Sequence, residues 1–163
     1  MRRHRSGSRC EAEILAEVMR QVFLFKHLSQ TELLVIAPYL EEVVFDDGVT
    51  VCSEGDPADA FYVVVSGYVK VSMGQTPLTT VRPGGHFGEL ALTRPVRRSA
   101  TVRTGARTRL FTLTRERFQE LVRHKPDLGA KLALTLLDAV GERLRDLSER
   151  LDAVQKAVRG EIR

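Results

Sequence analysis

Apolar positions along this chain change period twice. From Glu11 to about Phe25, Ile14, Leu15, Val18, Val22 and Phe25 recur at three- and four-residue steps, the spacing of one helix face. Ser29-Gln-Thr-Glu32 then supplies a capping box and predicts a short helix through Leu33, Leu34 and Ile36 that stops near Pro38. Between Val43 and Leu113 the texture turns to short β-branched and aromatic runs. Turn signals separate them at Asp47-Gly48, Gly55-Asp56-Pro57, Ser66-Gly67, Gly74, Pro83-Gly84-Gly85 and Thr104-Gly105. Segments so short leave no room for helical crossovers between parallel strands, so an antiparallel sandwich or jelly roll is expected. One apolar turn, Glu89-Leu90-Ala91-Leu92, interrupts it. Helical periodicity returns at Thr114-Arg-Glu-Arg117 with Phe118, Leu121 and Val122 on one face. It breaks at Pro126 and resumes as a long helix from about Asp127.

Within that last helix Leu137, Val140, Leu144, Leu147, Leu151, Val154 and Val158 alternate strictly at three and four residues, an a/d seam sustained over three heptads. Such a seam is hard to bury in one chain once the sandwich is complete, and a parallel homodimer through this helix is expected. Gly141 sits inside it at a cost of about 1 kcal/mol against Ala, marking either a close helix approach or a bend. The fold class is therefore α+β: an antiparallel β-roll, jelly-roll-like, with N-terminal helices, a short helix in the roll and a long C-terminal dimerisation helix. The expected division is a solvated tail over 1–10, the roll with its flanking helices over 11–125, and the long helix or coiled coil over 126–163.

At 163 residues and 43% apolar content the chain can bury the core of one domain. No run approaches the roughly 18 consecutive apolar residues of a membrane span, and the arginine-rich start is followed by no apolar signal core, so a cytoplasmic protein is expected. Cys10 and Cys52 form no CxxC pair, and the four histidines His4, His27, His86 and His124 are scattered, so neither a disulfide framework nor a metal site is expected. The formal charge of +4 is supplied by Arg2, Arg3, Arg5 and Arg9 in the first ten residues. A more pointed basic cluster runs from Thr93 to Leu110, with six arginines and no acidic residue. Its field suits an anionic small ligand in a cleft better than a nucleic acid duplex.

The same region carries the chemistry. Gly88 lets the backbone approach a ligand closely, and amides of the turn beginning near Glu89 are expected to point outward toward a phosphate. Glu89 can accept from hydroxyls, and Arg98, nine residues on, can grip phosphate oxygens bidentately. Glu89 could instead merely cap its helical turn, and Arg98 could be an ordinary sheet arginine.

Phe87-Gly88-Glu89-Leu90-Ala91-Leu92, a five-residue spacer, and Arg98-Ser99-Ala100-Thr101-Val102 resemble the phosphate-binding cassette of cyclic nucleotide-binding domains, the sensors of catabolite activators, cyclic nucleotide-dependent kinases and gated channels. Phe45-Asp46-Asp47-Gly48, Glu54-Gly55-Asp56-Pro57-Ala58-Asp59 and Phe61 to Gly67 extend the resemblance, which covers roughly Leu24 to Leu147. It implies a site made of Gly88, Glu89, Leu90, Ala91, Arg98, Ser99 and Ala100. Glu89 would bind the ribose 2′-hydroxyl, Arg98 the cyclic phosphate, and Ser99 the phosphate or base. In catabolite activators a Thr-Ser pair on the long helix, contributed partly by the partner subunit, meets the base; here the pair reads Leu147-Ser148, which leaves Ser148 as the base contact or passes that role to Arg143, Arg145 or Arg150 stacking on the base. Arg97 stands where many members have Pro, and Pro95 comes early in the spacer, so the loop's shape departs from the pattern.

The functional expectation is a dimeric regulatory sensor that binds cyclic AMP in preference to cyclic GMP, without cofactor or catalysis. It would signal through the long helix to a partner protein. The alternatives are a scaffold of the same fold that binds no nucleotide and a cyclic dinucleotide sensor. Direct DNA reading is not expected, because only sixteen residues follow Leu147 and they carry no helix-turn-helix pattern.

Overall fold

The computed structural model describes residues 2–4, 19, 20, 22, 25 and 27–159. The expected first helix, Glu11 to Phe25, falls largely outside them, although Met19, Val22 and Phe25 are described and buried. Ser29 caps α1 (Gln30–Ile36): its hydroxyl accepts from the Glu32 amide while the Glu32 carboxylate accepts from the Ser29 amide, completing the capping box. A 3-10 turn through Pro38 ends that segment.

Among the described residues eleven strands pair antiparallel, ten of them in the stretch where the roll is expected. In chain order they are β1 (Arg2–His4), β2 (Glu41–Phe45), β3 (Thr50–Cys52), β4 (Pro57–Ala58), β5 (Ala60–Ser66), β6 (Val69–Met73), β7 (Thr76–Val81), β8 (His86–Phe87), β9 (Val96–Arg97), β10 (Thr101–Thr104) and β11 (Thr108–Thr114). One sheet runs β1-β2-β11-β5-β8 and the other β3-β10-β6-β7, while β4 and β9 form a separate two-stranded ladder. Arg2–His4, expected in a solvated tail, instead pair with Val44, Val43 and Glu42 of β2. The rest of residues 1–10 lies outside the described residues.

Strand β5 reads as a nearly continuous apolar run because both of its faces are covered. Phe61 and Val63 point toward the helices, where Phe111 and Leu113 of β11 join them, while Val64 points into the roll with Val43, Val69, Val102 and Leu110. The helical side is closed by α1, by α3 (Arg115–His124) and by the first part of α4 (Pro126–Val158). Thr114 caps α3 by accepting from the Arg117 amide, and Pro126 occupies the first turn of α4, where its missing N–H costs nothing. The short helix α2 (Leu90–Thr93) breaks the roll where the apolar turn is expected.

Helix α4 carries two apolar stripes. Leu128, Leu132, Leu136 and Ala139 are buried against the rest of the chain. Leu137, Leu144, Leu147, Leu151 and Val154 are 57–66% exposed on another side of the helix. Carried on at three- and four-residue steps, the buried stripe becomes Glu142, Asp146 and Arg150, so one face passes from the core to the cavity described below.

Candidate functional site

A cavity of about 870 Å³ opens beside β8 and α2. Its walls are the cassette residues 86–91 and 96–100, strand β7 with the turn after it, and α4. Of the residues expected to form the site, Gly88, Glu89, Leu90, Ala91, Arg98, Ser99 and Ala100 all line it.

Arg98 is fixed by its main chain before its side chain does anything. Its N–H donates to the Asp56 carbonyl and its carbonyl accepts from the Gly55 N–H, each at 2.8 Å, beside the ladder in which Pro57 and Ala58 face Arg97 and Val96. The residue is only 7% exposed. Its guanidinium carbon lies 5.5 Å from the centroid of the Tyr62 ring, which is itself stacked on Phe87 at 5.0 Å. Nη2 stands 3.7 Å from the Asp59 carboxylate, but that side chain is 83% exposed and offers a screened, weak partner. Nε and Nη1 are buried and have no hydrogen-bond partner among the described residues. Leaving buried charged donors unmet is expensive, and an anion with acceptor oxygens would remove the cost.

Burial raises the pKa of the Tyr62 phenol and of the Cys52 thiol, with Arg98 pulling both the other way. Both side chains are neutral near pH 7, so neither offers Arg98 an anionic partner.

Gly88 has φ +80°, and a Cβ there would run into Arg98 Nη1 and approach the Ala60 carbonyl oxygen to 3.0 Å. Glu89 sits at the N-cap of α2, where its carboxylate makes no capping bond, and it lines the cavity. The expectation of outward amides needs correction within the helix: the N–H groups of Ala91 and Leu92 donate to the carbonyls of Gly88 and Glu89, each at 3.1 Å, closing tight turns instead. Ser99 is exposed at the rim.

Within the single chain Ser148 does not line the cavity. Its hydroxyl donates to the Leu144 carbonyl one turn back (2.9 Å), and Leu147, Asp146 and Arg150 line the cavity in its place. Arg145 is exposed and is not among the lining residues, and the Arg143 side chain lies outside the described part. His86 is buried with its ring tilted against Phe61 at 5.6 Å, and no group of three metal-ligating side chains occurs among the described residues. Sequence reasoning missed Tyr62. The signal was present in the alternation of β5, which sends Tyr62 to the face opposite Phe61.

The family profile described as the cyclic nucleotide-binding domain matches residues 42–125. The chain belongs to the cyclic nucleotide-binding domain family. It is 32% identical over 117 residues to the cAMP-dependent protein kinase regulatory subunit of Dictyostelium discoideum, an alignment covering 67% of this chain and 36% of that protein. It thus spans little more than a third of that relative's length. Among solved structures it resembles the N-terminal domain of a transcriptional regulator from Streptomyces coelicolor (31% identity, TM-score 0.66, covering 81% of this chain and 95% of that one). It also resembles the catabolite activator protein of Thermus thermophilus (28% identity, TM-score 0.71, 82% and 63%). Helix α2, the 96–100 segment and the buried Arg98 all fall within the residues that match the family profile.

Proposed function

We propose that this cyclic nucleotide-binding domain is a regulatory sensor that captures cyclic AMP in preference to cyclic GMP and transmits its occupancy through α4 to a protein partner, without catalysing a reaction. The observation that carries this reading is the Arg98 guanidinium, buried yet with Nε and Nη1 unmatched among the described residues, on the wall of a cavity large enough for a mononucleotide. A cyclic phosphate would meet those donors bidentately, and Glu89, on the same wall, suits the ribose 2′-hydroxyl. The preference for cyclic AMP draws on the Dictyostelium relative, a cAMP-dependent protein kinase regulatory subunit.

The switch follows from differential affinity. A ligand that touches Arg98 and also Leu147 and Arg150 across the cavity binds best when α4 lies over it, and so favours that arrangement. A coupling of about 1–3 kcal/mol gives a five- to 150-fold change. The seam through Leu137, Val140, Leu144, Leu147, Leu151 and Val154, half-buried at Val140 and exposed at the other five, supports a parallel homodimer as the assembly in which α4 moves.

A second reading, a cyclic dinucleotide sensor, is favoured by one observation: Arg82, Arg97 and Arg150 line the same cavity as Arg98, so a second phosphate would find guanidinium donors there beside Glu89, Glu142 and Asp146.

Isothermal titration with cyclic AMP, cyclic GMP and a cyclic dinucleotide, using Arg98→Ala as control, tests both readings. Saturable micromolar or tighter binding of cyclic AMP, weaker for cyclic GMP and weakened by several kcal/mol in the variant, is the expected result. Binding of only the dinucleotide would move the assignment to the second reading, and no heat with any ligand would leave a scaffold.

A further inference from the structure

We propose that Arg115, which does not line the cavity, is the positioning residue that holds the cassette in shape and ties it to the output helices. The inference rests on the site assignment above. Arg115 is the first residue of α3, and it bonds three ways into the site's framework. Its Nε donates to the Ala91 carbonyl in α2 at 2.6 Å, its Nη2 donates to the Ala58 carbonyl in β4, and its own N–H donates to the Asp59 carbonyl at 2.8 Å.

These acceptors lie on both sides of Arg98. Ala91 belongs to α2, whose entry turn at Gly88 passes against the guanidinium. Ala58 faces Val96 in the ladder leading to Arg98, and Asp59 reaches Arg98 with its carboxylate. Helix α2 has only four residues and ends in an extended residue, Arg94, so its carbonyls need outside donors. A guanidinium there supplies donors and a favourable charge for that helix end. The planar fork spans two carbonyls from separate segments, which a lysine's point charge does poorly.

The consequence reaches beyond stability. Helix α3 passes through Lys125 directly into α4, which covers the cavity with Asp146, Leu147 and Arg150. A shift of α2 on ligand capture therefore pulls on the start of α3 through a short, two-pronged side chain. Arg115 acts through Ala91, Ala58 and Asp59, never on the nucleotide.

Two measurements on the full chain test this, comparing wild type with Arg115→Ala and with the milder Arg115→Lys. Without ligand, amide exchange should speed up roughly tenfold, the effect of a lost hydrogen bond, at Ala91, Leu92 and Arg98, while β5 and β11 stay protected. With ligand, wild type should prefer cyclic AMP to its 2′-deoxy analogue by about ten- to a hundredfold through Glu89. That ratio should collapse to a few-fold in Arg115→Ala and recover in part in Arg115→Lys. Uniformly faster exchange across the roll, or a weakened variant that keeps the wild-type ratio, would reduce Arg115 to a general stabilising residue and overturn the proposal. Should wild type bind no cyclic nucleotide, the site assignment fails, and the exchange result still decides whether Arg115 holds α2.

Discussion

The Arg98 guanidinium occupies the space that a side chain on Gly88 would fill. Gly88 is at φ +80°, and a Cβ built there meets Arg98 Nη1 and the Ala60 carbonyl oxygen. The glycine is thus required twice, by its backbone conformation and by the arginine folded over it. Gly88→Ala should cost about 1–2 kcal/mol for the left-handed backbone alone and should also displace Arg98, the proposed phosphate ligand. The expected outcome is a lower melting temperature together with at least a tenfold loss of cyclic nucleotide affinity. A variant that melts early but binds normally would show that Arg98 does not need its present position.

Tyr62 shapes the same cation from the other side. Its ring lies 5.5 Å from the Arg98 guanidinium carbon and stacks on Phe87. A desolvated cation–π contact is worth about 2 kcal/mol, so Tyr62→Leu should weaken nucleotide binding roughly ten- to thirtyfold. Tyr62→Phe, which keeps the ring, should stay within a few-fold of wild type. Equal losses in both variants, measured by titration, would assign the effect to the hydroxyl instead.

How far such a site can be read from sequence depends on the range of the interactions that build it. The capping box at Ser29 and Glu32 and the cap at Thr114 are legible because both partners lie within one helical turn. The antiparallel roll is legible because turn residues punctuate most of its strands, and the meeting of Glu89 and Arg98 on one cavity wall because their spacing resembles a known cassette. Tyr62 and Arg115 are not, since their roles depend on which segments the fold lays against β5 and α2. Ser148 shows the same limit on a helix: one residue is about 100° of rotation, and burial of Leu128, Leu132 and Leu136 turns Leu147 rather than Ser148 to the cavity.

Gly141 lies in the middle of α4, where a Cβ would meet nothing within 4 Å in a single chain. Gly141→Ala should therefore raise stability by about 1 kcal/mol, read as a shift of the denaturation midpoint. If the variant instead weakens self-association at high protein concentration, the glycine marks a close approach between two copies of α4 in the proposed dimer.

The seam itself is tested at Leu144 and Leu151, which are 60% and 62% exposed and do not line the cavity. Leu147 is the poorer target, because it belongs to the seam and to the cavity wall and would confound assembly with binding. In the proposed dimer, replacing Leu144 and Leu151 with Glu places like charges at facing positions of a parallel pair, so sedimentation should find wild type dimeric and the variant monomeric. Persistence of the dimer would move the interface elsewhere.

Glu32 joins α1 to α4 and makes that junction sensitive to acid. Lys131 Nζ donates to its Oε1 at 2.5 Å, and the Ser29 amide donates to Oε2 at 2.8 Å. The Lys131 bond first, then the Ser29 amide, holds the Glu32 carboxyl below its ordinary pKa. Because the folded value lies below the unfolded one, the stabilisation is fully present above about pH 4.3, the value for a free glutamate, and is lost as pH falls through the lowered folded value. Glu32→Gln keeps an acceptor for the Ser29 amide, so it isolates the charged bond to Lys131. Denaturant unfolding should find the variant less stable than wild type at pH 7 and indistinguishable from it in strong acid. A difference that persists undiminished below pH 3 would mean that packing, and not the ionised pair, holds α1 against α4.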